Sequence, residues 1–477
     1  MAESFRAALS RILPSDRILD DEVSLLTYEC DAYPIQKGLP AAVVFPETTS
    51  EVLALVQAAR KAQVALLPRG AGTCLSGGAS PGAEPPLLIE TSRMRQVLSI
   101  DYDDRVAVVQ PGLVNLRLGE ITEEHGFTFA PDPSSQKAST LGGNVALNAG
   151  GPHCFKYGMT SDHVLGMTMV TGRGELLHTR AGNGLDLTGL LTGSEGTFGI
   201  LTEIELRLSP APECTETWLA AFPSMAAACR AVAEIVRAGL VPAALEILDR
   251  LTIQAVEASS YAAGYPTDAE AVLLVELDGA KTRVDAESPG IQAQLKRQQP
   301  LSLESTRDPE QRLRLWKGRK GAFGAMGRVK PNLFVLDGVV PRSKLEAVLA
   351  EITEICKRKN ITLANVFHAG DGNLHPNLSF DGRDPVETER AVQAGREILE
   401  LCVREGGSLT GEHGVGVEKK DSMPAMFDDT TLAVFADLRK AFDPELICNP
   451  GKLLPSGAAC NEGRSAEHTS ALEGGAE

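Results

Sequence analysis

The chain has 477 residues, 43% of them hydrophobic and 23% charged, with a formal net charge of −17. That length exceeds what one hydrophobic core supports, so two or more domains are expected, and the composition is that of an ordinary globular protein. The charge argues against nucleic acid or an anionic membrane surface as a direct partner, and no apolar run reaches the roughly 20 residues of a membrane helix.

An anionic substrate would need a local basic pocket to overcome that field. The start, Met1-Ala-Glu-Ser-Phe-Arg6, has no basic stretch followed by an apolar core, so no secretory signal is expected. Nine cysteines stand at 30, 74, 154, 214, 229, 356, 402, 448 and 460, with no Cys-x-x-Cys among them. This pattern suits a reducing cytoplasm and removes an iron–sulfur cluster from this chain.

Residues 1–35 read as an N-terminal helical segment. Thr48 and Glu51 then stand at capping-box spacing, with Val52, Leu55, Val56 and Ala59 following at helical period. A strand over 64–68 runs into Arg69-Gly-Ala-Gly-Thr-Cys-Leu-Ser-Gly-Gly78, and the Pro-rich stretch after it cannot be a helix. A Rossmann fingerprint must open a helix, and a Walker loop needs Gly-Lys-Ser/Thr, so both fail. What remains is a strand-to-strand loop whose backbone amides could hold a pyrophosphate. Further turn-rich stretches follow at Pro111-Gly112, Pro131–Gln136, Leu141–Asn144, Asn148–Gly151 and Thr192–Gly199. Together they suggest one extended ligand lying against exposed backbone, because glycine alone permits that approach.

Past Ser209-Pro-Ala-Pro212 the glycine clusters stop and longer amphipathic segments begin, such as 225–238 and 342–359, mixed with strands at 271–277 and 333–340. The fold class expected is α+β, with a largely antiparallel sheet in the second part. The expected organisation is 36–212, 213–430, a returning C-terminal segment at 431–455, and a disordered Ala/Gly/Ser/Glu tail at 456–477.

The chemistry concentrates late in the chain. His368-Ala-Gly-Asp-Gly-Asn-Leu-His375 reads as two strands joined by a tight turn, and Gly411-Glu412-His413-Gly414 follows. Two imidazoles and a carboxylate can hold a divalent ion with open positions, and the second histidine of the later motif is then free to move a proton. By themselves these residues suit a hydrolase equally well. Upstream, Asp308 caps a helix with Pro309 in its first turn, and Leu315, Arg319, Ala322 and Met326 share one face. An arginine on an apolar stripe needs an anionic partner, and seven basic residues between Arg312 and Lys330 make a carboxylate pocket plausible.

The Arg69-Gly-Ala-Gly-Thr loop, Ala130-Pro-Asp-Pro-Ser-Ser-Gln136, Gly142-Gly-Asn-Val145, Asn148-Ala-Gly-Gly151, Thr192-Gly-Ser-Glu-Gly196 and the two histidine motifs together carry a resemblance over roughly residues 20–455. The chain resembles FAD-linked 2-hydroxyacid dehydrogenases with a flavin domain of the vanillyl-alcohol-oxidase type, most specifically the bacterial subunits that act on glycolate. The resemblance implies a two-lobed FAD-binding domain and an α+β cap domain with an antiparallel sheet. It implies flavin contacts from Arg69, Gly70, Ala71, Gly72, Thr73, Ser76, Gly77, Gly78, Pro133, Ser134, Gly142, Gly143, Asn144, Gly150, Gly196, Ile200 and Asn449. Covalent relatives carry a histidine where this chain has Thr73 and Cys74, so FAD is expected to be non-covalent.

The resemblance further implies a divalent metal (zinc, manganese or iron) on His368, His375 and Glu412, His413 as base, and Arg319 on the substrate carboxylate. Relatives acting on hydroxy-diacids carry a lysine near the strand that here reads Leu333-Phe-Val-Leu-Asp337, and its absence favours a small monocarboxylate such as glycolate or D-lactate. Expected acceptors are an iron–sulfur subunit, a second flavin-type subunit or a quinone. The expected location is cytoplasmic, with membrane association only through partner subunits. The competing expectations are a stand-alone dehydrogenase for D-lactate or D-2-hydroxyglutarate and a catalytically silent flavin scaffold.

Overall fold

The computed structural model describes residues 3–455. Helix α1 (Glu3–Ile12) packs on α2 (Thr49–Ala62), which Thr48 caps by accepting the Glu51 amide, and α2 buries Val52, Leu55, Val56 and Ala59. These side chains cover a four-stranded sheet in which Ala42–Val44 and Leu66–Arg69 both run parallel to Leu87–Glu90. The loop after Leu66–Arg69 therefore joins two parallel strands without a crossover helix, and its backbone is left free to meet a ligand. The chain's far end comes back to this sheet. Leu66 donates its amide to Ile447 O at 2.7 Å, and Asn449 donates to Leu66 O at 2.7 Å.

A second, five-stranded antiparallel sheet is built from Val97–Asp101, Val106–Val109, Gly199–Arg207, Val164–Thr171 and Leu176–Arg180, neighbours in that order. Helix α3 (Leu141–Leu147), capped by Thr140, buries Leu141 and Val145 in the core of this sheet.

The third and largest sheet is antiparallel throughout its named pairings. Ser302–Thr306, Cys214–Phe222, Ala271–Gly279, Ala244–Asp249 and Thr362–His368 lie side by side. One face carries α4 (Met225–Arg237), α6 (Lys281–Arg297), α8 (Leu345–Lys359) and α9 (Pro385–Arg404), and the other carries α5 (Arg250–Glu257) and α7 (Pro309–Met326). Covering on both faces explains why Ala271–Gly279 is buried along nearly its whole length, Glu276 and Asp278 included.

The fold class is α+β, as the pattern predicts. One strand is not continuous as predicted: the segment 333–340 splits into Asn332–Val335 and Gly338–Val339, broken at Leu336 and Asp337. The break frees the Leu336 carbonyl and turns the Asp337 carboxylate inward, and both serve the site described next. The predicted tail at 456–477 lies outside the described residues. Among the described residues the cysteines are all free, and no helix is long and apolar enough to cross a membrane.

Candidate active site

A cavity of about 580 Å³ is lined by the glycine-rich loops and by the histidine cluster together. From the first group come Arg69, Gly70, Ala71, Gly72, Thr73, Gly78, Pro133, Ser134, Gly142, Gly143, Asn144, Gly196 and Ile200. From the second come Arg319, His368, His375, Glu412 and His413. Residues more than 340 positions apart in sequence thus face one space.

Strand Thr362–His368 ends at His368, and Asn373 pairs back to it across the Ala369–Gly372 turn before His375. His368, His375 and His413 present their Nε2 atoms at 3.2, 3.0 and 3.6 Å from one oxygen, Glu412 Oε1. The His375 and His413 rings stack at 4.9 Å, and the His368 ring stands edge-on to His375 at 5.0 Å.

The remote nitrogens differ. His375 Nδ1 lies 3.0 Å from Leu336 O, and a carbonyl only accepts, so Nδ1 donates and Nε2 is the atom turned to Glu412. His368 Nδ1 lies 2.7 Å from the buried carboxylate of Glu246. His413 Nδ1 is buried and has no hydrogen-bond partner.

Asp337 holds the loop that carries Glu412 and His413. Its Oδ2 accepts the amides of Gly411 and His413 at 3.0 and 2.9 Å, its Oδ1 accepts that of Glu412 at 3.1 Å, and Lys419 Nζ lies 3.1 Å away. Burial opposes the charge on Asp337, but Lys419 and the imidazoles outweigh it and hold the group well below the ordinary carboxylate range. Burial likewise works against the charge on Glu412, and His368 outweighs it. Burial depresses His375. In His368 the neighbouring Glu246 and Glu412 overcome burial and raise it well above its usual value.

Arg319 is buried on the apolar face of α7, and its anionic partner is Glu246: Nε and Nη2 both lie 2.6 Å from Glu246 Oε2. Its Nη1 makes no hydrogen bond to another described residue and is the donor left over. Removing the carboxylate leaves a buried guanidinium unpaired and His368 without its orienting acceptor. Glu246→Gln is therefore expected to lower stability in urea by about 3–5 kcal/mol, as for other buried pairs that lose one partner. Unchanged midpoint and slope would show that the pair contributes nothing.

Four predicted flavin contacts do not line the cavity: Ser76, Gly77, Gly150 and Asn449. They brace it instead. Ser76 Oγ donates to His413 O at 3.0 Å, and Gly77 O accepts from Lys452 Nζ at 2.7 Å. Asn449 Nδ2 donates to Gly78 O and Glu195 O at 2.9 and 2.7 Å. A Cβ on Gly150 would come within 2.7 Å of Glu412 Oε2. Glu195 adds a tie, accepting the amides of Val415 and Gly416 at 2.6 and 2.8 Å. Sequence reasoning also missed Glu246, Asp337, Lys320, Tyr261 and Phe323. A lone acid inside an apolar strand, as in Ala244-Leu-Glu-Ile-Leu and Leu333-Phe-Val-Leu-Asp, was the available signal for the first two.

The glycine-loop part of the cavity contains two buried polar atoms without a protein partner, Ser139 Oγ and Asn144 Nδ2, on residues that line it. Such atoms are costly unless a ligand or water meets them, so the lining fits a polar, extended molecule. Residues 40–180 match the family described as "FAD binding domain", and residues 211–453 match "FAD linked oxidases, C-terminal domain". The chain belongs to the FAD-linked oxidase family.

As a member of that family it is a flavin-dependent oxidoreductase. It is 41% identical to "Glycolate oxidase subunit GlcD" of Escherichia coli (strain K12), over 95% of this chain and 92% of the relative. Identity to the protein of the same name from Bacillus subtilis (strain 168) is 38%, over 92% of this chain and 94% of the relative. A "D-lactate dehydrogenase" of Archaeoglobus fulgidus is 30% identical over 86% and 91%. Among solved structures, p-cresol methylhydroxylase with substrate bound superposes with a TM-score of 0.79 at 16% identity, over 95% of this chain and 97% of that one. That likeness extends to the fold.

Proposed function

We propose that this FAD-linked oxidase converts a small 2-hydroxy acid, glycolate or D-lactate, to the 2-oxo acid and passes the electrons to a partner subunit or a quinone. One observation carries the proposal: the loops suited to FAD and the His368, His375, Glu412, His413 cluster line the same cavity. The names of the relatives point to the same two substrates, and the description of the two glycolate oxidase relatives as subunits supports an electron-accepting partner chain.

FAD would lie along Gly70–Thr73, Gly78, Pro133, Ser134, Gly142–Asn144, Gly196 and Ile200, and bound there it supplies a hydride acceptor. Burial pushes the Cys74 thiol up to about 12, so it carries no thiolate to attack the ring, in keeping with a non-covalent flavin.

The donor set also fits a divalent metal. Asp337, His375, Glu412 and His413 offer ligand atoms within 4.8 Å of one another. Asp337 is the weakest of these, because three amides and Lys419 already occupy its oxygens. His368 is the better ligand although it stands outside that quartet. Its Nδ1 is fixed by a carboxylate, the arrangement that orients metal-bound histidines, and the Leu336 carbonyl does the same for His375. A zinc, manganese or iron ion on His368, His375 and Glu412 would supply Lewis-acid activation of an alcohol oxygen.

His413 suits the proton-transfer role because no partner fixes its Nδ1, leaving its tautomer free to change. Its ring, held flat against His375, takes the hydroxyl proton and later releases it. Arg319 Nη1, free while Nε and Nη2 hold Glu246, binds the substrate carboxylate and orients the Cα–H.

The test is anaerobic addition of glycolate, D-lactate, L-lactate and 2-hydroxyglutarate to the flavin-loaded protein, following flavin bleaching. Glycolate or D-lactate is expected to bleach fastest. Bleaching by none of the four would sink the proposal.

A further inference from the structure

Between Arg312 and Lys330 the chain carries seven basic residues in a protein of net charge −17. Four of them are matched by acids. Arg312 pairs with Glu276, Arg319 with Glu246, Lys320 with Asp132 at 3.4 Å, and Lys330 with Glu387. The other three, Arg314, Lys317 and Arg328, are exposed and make no side-chain ion pair or hydrogen bond to another described residue.

Their placement is not scattered. Arg314 and Lys317 lie on α7 at helical spacing with Lys320, Gly321 and Gly324, all three of which line the cavity, and Arg328 follows one turn later. The acid on this helix, Glu310, sits in its first turn, one turn before Arg314 and farthest along the axis from Lys320 and Gly321. Two aromatic side chains flank the same place. Phe323 and Tyr261 both line the cavity while remaining 47% and 37% exposed, which puts them at its mouth. Gly321 makes room for Tyr261, since a Cβ there would come within 2.2 Å of its ring.

We propose that the outer face of α7 and the turn after it, with Arg314, Lys317 and Arg328, form an electrostatic funnel that draws small carboxylate anions to the mouth between Tyr261 and Phe323. Like-signed charges beside low-dielectric walls focus field lines and raise the local concentration of the opposite charge. At about 1.5 Å of rise per residue, Arg314 and Lys317 stand about 5–10 Å along the axis from Lys320 and Gly321. That is close to a Debye length of about 8 Å at 0.15 M salt, so the pull survives at low ionic strength and vanishes at high. The funnel rests on the proposed 2-hydroxy acid chemistry for its biological ligand, but its action on an anion can be read without turnover.

The experiment compares the FAD-loaded wild type with Arg314→Gln/Lys317→Gln/Arg328→Gln at ionic strengths from about 0.01 to 1 M. A second triple, Lys296→Gln/Arg297→Gln/Lys357→Gln, makes the same change in net charge on α6 and α8, on the opposite face of the large sheet. Two quantities are read: kcat/KM for glycolate or D-lactate, and the stopped-flow association rate of oxalate, a non-reducing anion, from flavin absorbance.

In the first triple both are expected to fall on the order of tenfold at low salt, with kcat unchanged and the gap closing by about 1 M. The second triple should follow the wild type. An unchanged salt profile in the first triple, or an equal fall in both, would overturn the funnel. Salt-steered oxalate binding in a protein that no hydroxy acid can bleach would refute the proposed substrate and leave the funnel standing.

Discussion

His413→Ala should fold, retain FAD and lose reduction by the hydroxy acid by about 10²- to 10⁴-fold, the span that a well-placed general base contributes. The loop survives this change because Asp337 grips it through backbone amides, including that of residue 413 itself, and not through the imidazole. FAD survives because the ring lines the cavity at the histidine cluster and not along the glycine loops. The measurement is the single-turnover rate of flavin bleaching at saturating substrate, alongside the protein-to-flavin absorbance ratio. A variant that bleaches at the wild-type rate with full FAD would remove His413 from proton transfer, whereas loss of FAD would mean that the ring has a structural role instead.

Stripping the protein with a strong chelator should abolish at least 99% of the activity while FAD remains bound, and one of zinc, manganese or iron should restore it; the loss corresponds to about 2.7 kcal/mol or more of barrier. The physical ground is how the two ligand histidines are held. His375 is held by the Leu336 carbonyl with its Nε2 turned to Glu412, and His368 is held by Glu246, so two ligands are oriented before any ion arrives. Without a metal ion Glu412 is balanced by its imidazole neighbours, and a histidine spent on that balance is no longer a lone-pair donor. Glu412→Gln should therefore copy the chelator by lowering metal content, measured by elemental analysis of the desalted protein. Wild-type rates at a metal content below a few per cent of the protein would end the metal assignment.

The two halves of the site were legible to different degrees. Thr48, Asp308 and Pro309 act locally through their own backbone neighbours, so their capping roles are visible in a few letters of sequence and appear in the structure as expected. The turn between His368 and His375 was equally readable, since its geometry depends on the glycines inside it. Ser76 and Asn449 are expected at the flavin and also brace the cavity wall, because a polar side chain in a glycine-rich motif looks the same whether it faces a ligand or the neighbouring backbone. Asp337 was hidden for a related reason. A strand broken at Leu336 and Asp337 keeps the hydrophobic pattern of an unbroken one, and only pairing with Asn373–Leu374 and Pro376–Phe380 decides where it breaks.

The sequence by itself determined the α+β class, the flavin family, and the residue types able to bind a metal and move a proton, because these reside in short motifs whose chemistry is local. Tertiary structure decided which of those residues meet. It brought Glu246 under both Arg319 and His368, set the amides of 411–413 on Asp337, and left Arg314, Lys317 and Arg328 exposed without acidic partners. Charge pairing in a folded chain is fixed by proximity in space, and residues such as Glu246 and Arg319, 73 positions apart, acquire it only when their strand and helix pack together.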